Sequence, residues 1–131
     1  MFFLLKIENA RMNVPEPEYY EAGAEAIEVG EALTLSAGKL TKCSGATKPT
    51  HIAMASKTAT DIDRRMPACR VESNQVYEVP VTEAPGSLVP GTKVTIAADG
   101  LQVTATTNSG VATIVDTNGA KAIGDKIIVR F

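Results

Sequence analysis

His51 is the chain's single histidine; it follows Pro49-Thr50 and opens the apolar stretch Ile52-Ala53-Met54-Ala55. An imidazole can serve as a general base, but that role needs an orienting acid and a nucleophile brought alongside. No motif places either one, so His51 reads as a structural histidine. Asp61-Ile62-Asp63 sets two carboxylates at alternate positions, which falls short of the dense oxygen spacing of a calcium loop. Arg64 and Arg65 follow directly, so this cluster reads as a solvated charged loop whose two arginines are candidate partner contacts. Cys43 and Cys69 stand in separate segments, and two thiols with one imidazole do not make a zinc site. There is no Gly-x-Ser-x-Gly, phosphate loop or Cys-x-x-Cys. No catalytic, cofactor-binding or metal-binding residue is assigned, no cofactor is expected, and the chain reads as a non-enzyme.

The other residues with recognition chemistry lie near the beginning. Val14-Pro15-Glu16-Pro17-Glu18 carries prolines at alternate positions, which bars helix and favours an extended, polyproline-like path. Tyr19-Tyr20 closes the segment with two of the chain's three tyrosines. One reading is a surface connection whose tyrosines cover the end of the body. The other is an arm, residues 9–20, that lies on a neighbouring subunit or partner, with the tyrosines as anchors. Candidate partner-binding residues are therefore Asn13, Val14, Pro15, Glu16, Pro17, Glu18, Tyr19 and Tyr20, together with Arg64 and Arg65.

Charge separates this beginning from the rest. Residues 1–31 hold seven acids against two bases, a net of −5, while the following hundred hold a net of +3. The total of −2 argues against general nucleic-acid binding, since no cation excess is available to displace phosphate counterions. The apolar run Met1–Leu5 is shorter than a signal-peptide core or a membrane span, so no membrane association is expected, and the chain is expected to be made and used in the cytoplasm or in a particle assembled there. With no export signal, Cys43 and Cys69 read as free buried thiols.

The elements that must position these residues are short strands. Gly30-Glu31-Ala32-Leu33-Thr34-Leu35, Gly91-Thr92-Lys93-Val94-Thr95-Ile96 and Gly124-Asp125-Lys126-Ile127-Ile128-Val129 each open from a glycine into alternating apolar positions, the signature of a half-buried strand. Hairpins are predicted around Ala37-Gly38-Lys39, around Ser73-Asn74 between Ala68–Glu72 and Gln75–Val81, and in a C-terminal meander turning at Asp99-Gly100, Asn108-Ser109-Gly110 and Asn118-Gly119. The fold class is all-β, a small barrel or sandwich built of short hairpins, with residues 1–27 as N-terminal strand and arm and residues 28–131 as the body. Its core is predicted to draw on Leu33, Leu35, Ile52, Val94, Ile96, Val103, Ile114 and Ile127. With no Trp and three Phe among 131 residues, such a core buries little area per residue, and burial between subunits is a natural supplement.

The run Gly30 to Cys43, followed by Lys48-Pro49-Thr50-His51-Ile52-Ala53-Met54-Ala55, resembles the small head-decoration (capsid cement) proteins of tailed bacteriophages, with their order of glycine, apolar strand, glycine and Pro-Thr-x-Ile-Ala. Val89-Pro90-Gly91-Thr92-Lys93-Val94 and the Gly124–Val129 ending suit the same pattern. The resemblance implies a mostly β homotrimer on the virion's capsid surface that clamps the major capsid protein of a phage head and carries no catalytic residues. The competing reading is a non-catalytic β-rich module that binds a glycan or protein partner, weakened for glycans by the absence of Trp.

Overall fold

The computed structural model describes residues 1–11, 14–61 and 65–131. Among these residues there are ten strands: β1 (Phe3–Ile7), β2 (Pro17–Ala22), β3 (Ala32–Ser36), β4 (Lys39–Lys42), β5 (His51–Ala53), β6 (Arg65–Arg70), β7 (Gln75–Pro80), β8 (Lys93–Val94), β9 (Ala112–Asp116) and β10 (Lys126–Arg130). They form two units. Strands β2-β4-β3-β5-β6 close into a barrel, and β1-β7-β10-β9-β8 make an open five-stranded sheet. The expected all-β architecture is therefore realised as a barrel and a sheet together.

Local chemistry explains the hairpins. Ser36 pairs with Lys39 across a two-residue turn, and Ala37 and Gly38 both take positive φ, 49° and 79°. That is a type I′ turn, whose twist suits a tight hairpin; a β-branched residue at Gly38 would be strained there. Asn118 and Gly119 repeat the conformation at 51° and 71° as the chain leaves β9.

Each unit has its own core, and one of them is shared. Inside the barrel lie Ala22, Ile27, Leu33, Leu40, Met66 and Ala68, with Ala53. The larger core sets Ala32, Cys43 and Ile52, on the outside of the barrel, against Tyr77, Val79 and Val129 on the sheet. Of the eight expected core residues, seven are buried; Leu35 is half-buried at the barrel mouth. Both cysteines are free and buried. Lys57 is buried too, its ammonium donating to the carbonyls of Gly23 (2.8 Å), Glu25 (2.8 Å) and Thr58 (3.1 Å), which pins the chain after β2 to the chain after β5.

Three sequence expectations change. Residues 17–20 do not belong to a projecting arm: β2 pairs antiparallel with β6 and parallel with β4, so this segment is a stave of the barrel. Pro17 is tolerated because it is the first residue of the strand, where its missing N–H costs no ladder bond. Second, β6 and β7 do not form a hairpin. β6 belongs to the barrel and β7 to the sheet, and the turn between them carries the chain from one unit to the other. Third, the strand expected over 101–107 shrinks to a bridge at Val103, which meets both Ile96 and Val81.

These placements reverse the outcome expected of an N-terminal arm. Deleting residues 1–20 removes β1, most of β2 and the buried Phe2, and is expected to abolish the cooperative unfolding transition and the near-ultraviolet signal. In the full chain, Ile127→Ala or Leu33→Ala should each cost about 2–4 kcal/mol in urea unfolding, the range for truncating an enclosed aliphatic side chain.

Candidate partner interface

One mouth of the barrel is closed by polar side chains. Alternation along β2 turns Glu18, Tyr20 and Ala22 inward, and along β6 it turns Met66, Ala68 and Arg70 to the same side. Ala22, Met66 and Ala68 reach the barrel core, which leaves Glu18, Tyr20 and Arg70 at its end. There the Glu18 carboxylate accepts from the Tyr20 hydroxyl at 2.9 Å and from His51 Nε2 at 2.9 Å, and pairs with Arg70 at 2.9 Å. The Tyr20 and His51 rings meet edge to face, centroids 5.3 Å apart.

The histidine's other nitrogen, Nδ1, lies 2.9 Å from Thr50 Oγ1. That oxygen accepts the Leu35 N–H at 2.7 Å, and its own proton has two possible acceptors, His51 Nδ1 at 2.9 Å or the Leu33 carbonyl at 3.5 Å. The nearer acceptor takes it, which makes Nε2–H the donor to Glu18. Hydroxyl, imidazole and carboxylate thus stand in line as in a hydrolase triad, an arrangement absent from the sequence motifs. Each member is nevertheless committed to holding elements together. Thr50 ties to β3, His51 is buried, and Glu18 is neutralised by Arg70. The line acts as a lock joining β2, β3, β5 and β6.

The second feature is apolar. Met1, Phe3, Pro15, Val29, Met54 and Tyr77 are among the residues lining a groove of about 440 Å³ where β1 meets the barrel. Among the described residues, no charged side chain lines it. Phe3 is 55% exposed and Met1 51%, a conspicuous use of a phenylalanine in so aromatic-poor a chain. Outside the groove the band continues: the Met54 N–H bonds to the Pro67 carbonyl at 3.0 Å, and Pro67 is the cross-strand neighbour of exposed Tyr19. An exposed apolar surface of this kind is a candidate contact site.

The candidate partner residues therefore separate. Val14 is exposed next to Pro15 in the groove wall, and Tyr19 extends the band. Glu16 lines a separate depression beside Glu18 and Arg70. Pro17 opens β2; Glu18 and Tyr20 belong to the polar lock. Arg65 donates to the Tyr19 carbonyl at 2.6 Å, bracing the strand that carries the tyrosine. Asn13 and Arg64 lie outside the described residues. Met1, Phe3, Val29 and Met54 were not among the candidates, although the alternation of Met1, Phe3 and Leu5 against buried Phe2 is a signal within the sequence itself.

Barrel, sheet and exposed apolar band together define a small all-β module with an apolar strip on its outside. No family model and no curated protein matches the chain. Its fold is similar to that in the crystal structure of the N base of head fiber gp8.5 in bacteriophage phi29, with a TM-score of 0.59 and 15% identity over 88% of this chain and 92% of that one. The fold thus agrees with the resemblance to phage head proteins found in the sequence.

The lock sets a pH dependence. Hydrogen bonds from His51 and Tyr20, then the charge of Arg70, hold the Glu18 carboxyl below the usual range. Its contribution to stability is complete above the unfolded value of about 4.3 and is lost as pH falls through the lower folded value. Urea unfolding from pH 6 downward should show an acid limb that Glu18→Gln flattens while lowering stability at neutral pH. Glu31, 1% exposed, behaves oppositely. Burial raises its pKa, so stability is lost as pH rises through that raised value, and Glu31→Gln should remove this loss.

Proposed function

We propose that the protein is a structural component of a phage head, a homotrimeric decoration protein that sits on the outer capsid surface and contacts the major capsid protein. The fold shared with a phage head fiber base carries this reading. Two further observations support it. Thr50, His51 and Glu18 are joined in a structural lock, and the apolar band crosses from sheet to barrel on the outside of the molecule. On a repeated lattice, a modest contact made by each subunit of an oligomer becomes a lasting one through effective concentration.

Co-sedimentation of the purified protein with assembled heads that lack it tests this reading. Saturable binding at a fixed number of copies per head is expected, with a rise in the heads' thermal or osmotic resistance. Absence of the protein from the head pellet across micromolar concentrations would overturn the proposal. Tyr19→Ser and Met54→Ser, both on exposed side chains, should leave the unfolding midpoint within about 0.5 kcal/mol of wild type.

A further inference from the structure

Glu31 is 1% exposed and sits where the barrel meets the Asp99-Gly100 turn. Its carbonyl accepts the Ala53 N–H of β5 at 2.9 Å. Its side chain folds back on its own turn: Oε2 accepts the Glu28 N–H at 2.9 Å, and the Glu31 N–H bonds to the Glu28 carbonyl at 3.1 Å. The other oxygen, Oε1, makes no hydrogen bond among the described residues, and Lys42 Nζ stands off at 3.5 Å. A carboxyl group enclosed in this way favours its protonated form, because a charge there has neither water nor a close donor.

The turn is what encloses it. Gly100 is buried, and its carbonyl accepts the Ala32 N–H at 2.7 Å. A Cβ on Gly100 would lie 2.9 Å from Glu31 Cγ and 3.3 Å from the Cys43 carbonyl, so no layer of water separates the turn from the acid. The other charges nearby share its sign. Glu25 accepts the Lys42 N–H at 2.6 Å, Glu28 is exposed on the same turn, and Asp99 accepts the Leu101 N–H and the Gln102 amide, each at 2.8 Å. Burial keeps the Cys43 thiol neutral, which leaves Lys42 as the cation facing Glu31. We infer that Glu31 is a proton-operated latch: while its carboxyl is protonated the Gly100 turn stays seated on the barrel, and ionisation lifts the turn so that water reaches the carboxylate. Glu31 also closes the turn that carries Val29 and Gly30, two residues in the wall of the apolar groove, so latch and groove share an element. The sign follows from linkage. Burial raises the Glu31 pKa in the closed form, and an open turn returns it to the free value of about 4.3. Opening therefore grows as pH rises above about 4.3, by up to about tenfold per pH unit for one proton, and levels off above the closed-form value.

Native-state amide hydrogen exchange of the full chain, followed residue by residue from about pH 4 to about pH 7, tests the latch. Rates are corrected for the intrinsic pH dependence of exchange, so that protection reads the opening equilibrium. The Ala32 amide, bonded to Gly100, is the reporter. The Val111 amide, bonded to the Val94 carbonyl, and the Val71 amide, bonded to the Thr50 carbonyl, are controls in the sheet and the barrel. Ala32 protection is expected to fall by up to about tenfold per pH unit and then level off, while both controls hold. In Glu31→Gln the Ala32 protection should be flat. In Lys42→Met, which removes the neighbouring cation, the levelling point should move to higher pH. Level Ala32 protection in the wild type, a fall that persists in Glu31→Gln, or an equal fall at Val111 and Val71 would each overturn the latch, the last because it reports loss of the whole fold. Should Glu31→Gln fail to fold, the Lys42→Met arm decides: a levelling point that does not move overturns the assignment to Glu31.

Discussion

The structure depends on one shared layer of burial, the outside of the barrel packed against the inside of the sheet. Ala32, Cys43 and Ile52 point outward from barrel strands and the chain beside them, and they fill the same core as Tyr77, Val79 and Val129. Neither unit has the bulk to enclose a core of that size alone, because the chain has no Trp and few aromatic residues. The three rings at this junction make the most of their number. Phe2 meets Phe131 at 5.3 Å and Tyr77 at 6.4 Å, and Tyr77 meets Phe131 at 5.7 Å. Residues from the two ends of the chain thus close the joint, and backbone bonds from Phe2 to Gly30 (2.8 Å) and from Ala32 to Gly100 (2.7 Å) cross it. Gly100 is required by this approach, since a Cβ there would lie 2.9 Å from Glu31 Cγ.

Features set by local geometry were legible in the sequence. Ala37-Gly38 and Asn118-Gly119 announce turns because both residues of each pair must accept positive φ, and the apolar alternation after Gly30 and Gly124 marks half-buried strands. What escaped was which strand joins which sheet. The pattern around Ser73-Asn74 is that of a hairpin, and the local turn exists: Gln75 N–H bonds to the Glu72 carbonyl at 3.1 Å. The strands on either side nonetheless diverge into different units, because β7 pairs with β1 on one edge and β10 on the other, while β6 pairs with β2 and β5. Residues 17–22 escaped for a related reason. Two prolines favour an extended chain, and an extended chain is equally an arm or a strand; only the presence of β6 alongside decides between them.

The site was less legible, and the reason is sequence separation. Glu18 and His51 lie 33 positions apart, and neither sits in a recognisable motif, so their contact follows from strand order alone. His51 is buried with a hydroxyl and a carboxylate on its two nitrogens, an arrangement of which the sequence contained no hint. The apolar groove is different. Its alternation, with Phe2 inward and Met1, Phe3 and Leu5 outward, is a local pattern that was readable as a strand with two apolar faces, one of them unsatisfied.

The acidic beginning also acquires a different meaning. Its charge suggested attraction toward a basic partner, and the basic partner is chiefly the rest of the same chain. Glu8 pairs with Arg130 at 3.0 Å and Lys6 at 3.6 Å, Glu18 with Arg70 at 2.9 Å, Glu21 with Lys39 at 3.8 Å, and Glu31 with Lys42 at 3.5 Å. Glu25 accepts the Lys42 N–H at 2.6 Å. The exposed pairs among these contribute little each, so their role is registry: they set β1 and β2 against the strands they pair with. Five of the seven acids are thereby turned to internal use. Glu16 and Glu28 stay exposed: Glu16 lines the depression it shares with Glu18 and Arg70, and Glu28 lines another beside Ser56 and Lys57.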